Sequence, residues 1–140
     1  MDLIVNLFEY YRDEALIPDE AWDDQRVVKV IKNYSISWSL FFRVAYEGQR
    51  PVGVIGGFVS EDPITAERVS AIQFNYLKPE FASVGNYKQL IDHFLEWSNE
   101  VQAKNIKCMD IGDNATRLDE VYEELGFTSH SLSIYGKEIA

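Results

Sequence analysis

Residues 75–91 read NYLKPEFASVGNYKQLI. A strand closes at Leu77, Pro79 turns the chain, and a Gly-bearing loop opens a helix over about 84–103. The helix is legible from its inner stripe of Tyr87, Leu90, Ile91, Phe94, Leu95, Ser98 and Val101. The first N–H groups of a helix have no intrahelical acceptor, so a strand–loop–helix corner of this kind can hold an anion such as a phosphate. Ser83, Gly85 and Asn86 are small or polar enough to let a ligand approach, and Lys78 and Lys88 add positive charge nearby. The same residues also suit a plain turn.

Upstream, RVSAIQFNYL (68–77) alternates as a strand. The period of two puts Ile72, Phe74 and Tyr76 on one face and Gln73, Asn75 and Leu77 on the other. Before it, SLFFRVAY (39–46) and PVGVIGGFV (51–59) form a hairpin around Glu47-Gly48-Gln49-Arg50, with Gly48 supplying a positive φ. Gly53, Gly56 and Gly57 in the return strand suggest a bulge or a close backbone approach. Two helices precede the hairpin. One covers 3–16 and the other about 21–34, with Val27, Val28, Ile31 and Tyr34 inward.

Downstream, IKCMDI (106–111) is a short strand. It follows the long helix after a short loop, as the second half of a βαβ unit does, so it should run parallel to 68–77. A last helix spans 116–125, with Leu118, Val121, Tyr122 and Leu125 on one side and Gly126 as its stop. Residues 131–139 are the closing strand. The order ααβββαβαβ makes one α/β (α+β) domain over 1–140: a mixed central sheet of about five to six strands with helices on both faces.

Composition narrows the function. Apolar residues make up 46% of the 140, enough for a core, and no run approaches a membrane span. The N-terminal stretch does not read as a signal peptide. Cys108 is the only cysteine, so an internal disulfide and a cysteine-based zinc site are excluded. A cytoplasmic location is the default expectation. The net charge is −10, and only Arg12 interrupts the acidic residues of the first 25 positions. Nucleic acid is thereby disfavoured as a partner, because phosphate binding needs clustered Lys and Arg. No membrane partner is expected, and no metal set is visible, since His93 and His130 are far apart in sequence.

A second constellation lies in GDNATRLDEVYEELGF (112–127). Asn114 sits just past a strand end, where an amide can bond a ligand. Tyr122 lies on the inward helix face, either as packing or as a proton donor.

Together these stretches resemble the GNAT superfamily of acetyl-CoA-dependent N-acyltransferases, from about residue 39 to the end. YLKPEFASVG is similar to the family's fourth-strand ending and pyrophosphate loop. NATRLDEVYEELGF is similar to its Asn, helix and Tyr-x-x-Leu-Gly-Phe, and IYGKEI to its last strand. The two-helix start is similar to small phage-type members.

The resemblance implies acetyl-CoA as co-substrate and an amine, on a small molecule or a protein, as acceptor. It implies that the backbone of Leu77 and Lys78 holds the acetyl carbonyl and the pantetheine arm. The amides of Ser83, Val84, Gly85 and Asn86 would bind the pyrophosphate, with Lys88 nearby. Asn114 would touch the CoA arm, and Tyr122 would protonate the leaving thiolate. A phenol with a pKa of ~10 is a reasonable donor to a thiolate of ~8.5 once both are out of water. The family loop reads Arg/Gln-x-x-Gly-x-Gly/Ala. Here Ala82 replaces the basic or amide residue, and Tyr87 the last small one. The Tyr87 ring either stands over the phosphate position or turns inward with Leu90 and Ile91.

Asp110, in a short central strand, is the candidate general base, because a buried carboxylate there needs a purpose or a partner. Gln73 and Asn75, polar on one face of a central strand, are candidates to line the acceptor groove. Glu61, Asp62 and Glu67 could meet a cationic acceptor. Two rival readings rest on other features. Ala82 and Tyr87 suit an inactive binding or structural protein on the same fold, and the −10 charge suits an acidic inhibitor of a basic partner. Trp22 and Trp38 leave room for a homodimer as well as a monomer.

Overall fold

The computed structural model describes residues 24–108, 115–128 and 137. In order, the elements are α1 (Asp24–Ile36), β1 (Leu40–Glu47), β2 (Arg50–Glu61), β3 (Arg68–Leu77), a 3-10 turn (Pro79–Phe81), α2 (Val84–Glu100), β4 (Asn105–Cys108) and α3 (Ala115–Glu124). The expected helix at 3–16 and closing strand at 131–139 lie outside the described residues, as do Trp22 and the last residues of the 106–111 strand.

Among the described residues, four strands form one sheet in the order β1-β2-β3-β4. β1, β2 and β3 are antiparallel neighbours, and β3 pairs with β4 in parallel, from Val69 opposite Asn105 to Ile72 opposite Cys108. The mixed sheet read from the helix between 77 and 106 is therefore present. At the hairpin, Gly48 has φ +61°, a conformation that costs a glycine nothing.

Helices cover both faces. On one side Ile31 of α1 packs with Val54 and Tyr76, and Val27, Phe42, Val44 and Phe74 close around them. On the other, Phe41, Ile55, Ile72 and Leu77 of the sheet pack with Tyr87, Leu90, Ile91 and Phe94 of α2 and Val121 of α3. Phe94 meets the Phe41 ring edge-on at 5.4 Å, and Trp97 tilts against both rings. Each large apolar side chain buried here contributes about 1.5–3 kcal/mol. Deep between β3 and α2, the hydroxyls of Ser70 and Ser98 satisfy each other at 2.8 Å.

β3 departs from simple alternation. Ile72 stands opposite Gly57 and Phe74 opposite Gly56, so Gln73 is an extra residue with no partner in β2. This bulge shifts every side chain beyond it by one position. Ile72 consequently faces α2 together with Leu77, whereas Phe74 and Tyr76 face α1. The expected grouping of Ile72 with Phe74 and Tyr76 is corrected. The glycines opposite explain the tolerance: a Cβ on Gly57 would run into the Ala71 carbonyl and Phe94, and one on Gly56 into the Phe74 ring.

Candidate active site

Three features converge on the end of β3: its edge beyond the bulge, the start of α2, and the end of α3.

The edge follows from hydrogen bonding. Lys78 N–H donates to the Val52 carbonyl at 2.8 Å, within the β2 pairing. Leu77 N–H turns the other way and donates to the Tyr87 hydroxyl at 3.2 Å. Antiparallel strands alternate, so the N–H and C=O of Asn75 point to the same side as those of Leu77, away from β2. On that side the described pairing with β4 ends at Ile72 opposite Cys108. Among the described residues, the N–H and C=O of Asn75 have no strand partner on that side.

Tyr87 decides whether the corner is open. Its ring is fully buried, in the same cluster as Leu90 and Ile91. The ring thus turns inward rather than standing over the loop. Its hydroxyl serves the Leu77 amide, a backbone group expected to be available to a ligand. Neither Leu77 N–H nor Lys78 N–H is unsatisfied in this conformation.

The loop is capped by its own residues. Ser83 is the N-cap of α2, and its hydroxyl accepts the Asn86 N–H at 3.1 Å. The Asn86 side chain donates to the Phe81 carbonyl at 2.9 Å, and Ser83 N–H also bonds Phe81, at 2.9 Å. Of the four loop amides singled out from the sequence, those of Ser83 and Asn86 are used internally. Those of Val84 and Gly85 have no acceptor among the described residues. A Cβ placed on Gly85 meets nothing within 4 Å, so the space beside it is open. Two unpaired N–H groups, the positive end of a 17-residue helix and open space fit a phosphate. Ala82 is buried and Lys88 is ion-paired with Glu124 at 3.3 Å, so the Lys88 charge ties α2 to α3.

The third feature is Tyr122. α3 ends in a Schellman motif: Gly126 sits at φ +89°, Phe127 N–H bonds the Tyr122 carbonyl at 2.9 Å, and Gly126 N–H bonds the Glu123 carbonyl at 3.1 Å. The reversal lays the Phe127 ring edge-on against Tyr122, 5.4 Å between centroids. Gly126 and Phe127 together therefore hold the half-buried phenol. Its oxygen lies 3.5 Å from Asn75 Nδ2, on β3. A residue at the C-terminal end of one helix is thus beside a β3 side chain beyond the bulge.

The other expected residues separate. Asn75 is buried, whereas Gln73 is exposed on the bulge, so the two do not line one surface. Asp110 and Asn114 lie outside the described residues. Glu61 pairs with Arg68 at 3.3 Å and Glu67 with Lys104 at 3.4 Å. Asp62 accepts the N–H groups of Thr65 and Ile64, which hold its carboxyl below the ordinary value. These three carboxylates build the β2–β3 loop. Sequence reasoning missed the Tyr87–Leu77 bond and the Phe127–Tyr122 contact. A Gly stop with aromatics at both ends of the reversal was the available sign of the second.

No curated protein sequence is significantly similar to the chain. Solved structures are similar across nearly its full length. A probable acetyltransferase is 20% identical with a TM-score of 0.77, covering 99% of this chain and 91% of its own. A predicted acetyltransferase with acetyl-CoA from Clostridium acetobutylicum is 15% identical, TM-score 0.79, covering 97% and 88%. AAC(6')-Iy in complex with a bisubstrate analogue, CoA-S-monomethyl-acetylneamine, is 17% identical, TM-score 0.74, covering 97% and 92%. At these identities the likeness shows the fold, and residues 4–127 match the sequence pattern of the acetyltransferase (GNAT) family. The chain belongs to the GNAT family of acetyltransferases.

Proposed function

We propose that the protein moves an acetyl group from acetyl-CoA to a primary amine by direct attack, with Tyr122 as general acid. The observation that carries the proposal is the approach of the Tyr122 hydroxyl to the Asn75 side chain, on β3 beyond the bulge. Acetyl-CoA supplies the activated thioester. The N–H groups of Val84 and Gly85 bind its pyrophosphate at the start of α2. The Asn75 N–H takes the carbonyl oxygen and stabilises the charge that develops there, since Leu77 N–H is engaged by Tyr87. Tyr122 gives its proton to the departing sulfur. Asp110 is proposed as the base that receives the proton of the amine, and Asn114 as a contact for the CoA arm. The two structures solved with CoA-bearing ligands, acetyl-CoA in one and a bisubstrate analogue in the other, support this choice of co-substrate. The acceptor in the second of them derives from neamine, which supports an amine acceptor.

One observation favours a second reading, an inactive binding protein on the same fold. Tyr87 consumes a backbone donor that a ligand could use. Calorimetry with acetyl-CoA up to millimolar concentration separates the two. Saturable binding with release of free thiol in the presence of amines supports the enzyme. No binding and no thiol release supports the second reading.

A further inference from the structure

Among the described residues, the buried polar side chains besides tyrosines are Ser70, Ser98 and Asn75. The first two satisfy each other. Asn75, only 3% exposed, does not reach the same state. Its Nδ2 approaches Tyr122 Oη at 3.5 Å, a long contact, and its Oδ1 has no hydrogen-bond partner among the described residues. A buried carbonyl oxygen without a donor is costly, and an apolar residue of the same shape avoids that cost. Position 75 shares a strand face with Leu77, which packs in one cluster with Tyr87 and Val121. Stability alone therefore does not account for an amide there.

Its relation to Tyr122 does. A phenol that donates its proton needs its O–H directed at the receiving atom and needs support for the charge left on oxygen. An amide N–H donated to that oxygen meets both needs. It occupies a lone pair, leaves the O–H to turn away from Asn75, and stabilises the oxygen as the proton departs. The Phe127 ring fixes the phenol from another side. We propose that Asn75 is a positioning residue for Tyr122, acting through an Nδ2–H donated to the phenol oxygen and retained at the expense of stability. This inference rests on Tyr122 being the acid, and it goes beyond lining a groove.

The test uses Asn75→Leu, Tyr122→Phe and the double variant, with Asn75→Ala as a second choice should Leu disturb packing. Asn75→Leu should melt at or above the temperature of the wild type. Its kcat should fall about tenfold, the size of one hydrogen bond, with the acetyl-CoA Kd within about twofold of wild type. In the Tyr122→Phe background, Asn75→Leu should change kcat by less than about twofold, because the group it positions is gone. Two results overturn the inference: a lower melting temperature with unchanged kcat, or losses that multiply in the double variant. Failure of the acid reading looks different, because Tyr122→Phe alone would then leave kcat unchanged.

Discussion

The Tyr87 hydroxyl accepts the Leu77 backbone N–H at 3.2 Å, joining the first turn of α2 to the last residue of β3. Both residues are buried. Tyr87→Phe keeps the ring and removes the acceptor. The stranded amide should cost about 1–3 kcal/mol, read as a lower midpoint in urea unfolding. The freed N–H also becomes available to a ligand carbonyl. Acetyl-CoA should then raise the melting temperature of Tyr87→Phe by more than that of the wild type. Equal stability of the two proteins would show that the hydroxyl is not the acceptor.

Gly85→Ala separates binding from folding. The new Cβ meets open space, and Gly to Ala within a helix favours folding by about 0.5–1 kcal/mol. The variant should be as stable as the wild type or more so. It should bind acetyl-CoA about tenfold more weakly, the size of one lost hydrogen bond to a charged group. Calorimetry alongside thermal melts checks both halves. Unchanged affinity would remove the Val84–Gly85 corner from the phosphate site.

Gly126→Ala tests the support of Tyr122. Gly126 has φ +89°, and left-handed backbone costs an L-residue roughly 1–2 kcal/mol. The variant should lose stability of that order. It should also release the Phe127 ring from Tyr122, so that kcat falls by more than the change in folded fraction. Gly126→Asn, which tolerates the left-handed region better, should recover part of both.

Asp62 sets a pH dependence. The N–H groups of Thr65 and Ile64 hold its pKa below the ordinary value, so its stabilising effect is full above the unfolded-state pKa. As pH falls through the lower folded-state pKa, that contribution is lost. Asp62→Asn keeps an oxygen that can accept both bonds and has no titrating group. The melting-temperature difference between wild type and Asp62→Asn should therefore shrink as pH drops below about 4 and stay constant from pH 6 to 8. A difference that does not change with pH would contradict this role.

The legible parts were those set locally. Arg68–Leu77 has the strand bounds its alternation predicts, and Val84 opens α2 as the Gly-bearing loop predicts. The parallel pairing of β3 with β4 followed from a helix between two strands. What was hidden was non-local. The bulge at Gln73 depends on Gly56 and Gly57 of the neighbouring strand, and it changes which residues share a face with Asn75. The orientation of Tyr87 was open because sequence alone does not show the Leu77 amide waiting for an acceptor. Tyr122 could be assigned a helix face, but its approach to a strand residue 47 positions away required the fold.

The central claim is that Tyr122 is the acid of an acetyl transfer on this strand edge. The most direct measurement is free-thiol release from acetyl-CoA with a panel of primary amines, for wild type and Tyr122→Phe, with the acetyl-CoA Kd of each by calorimetry. The account predicts a loss of kcat of about 10²-fold or more with Kd nearly unchanged. Equal losses in kcat and affinity, or no loss in kcat, would contradict it and return Tyr122 to a packing role.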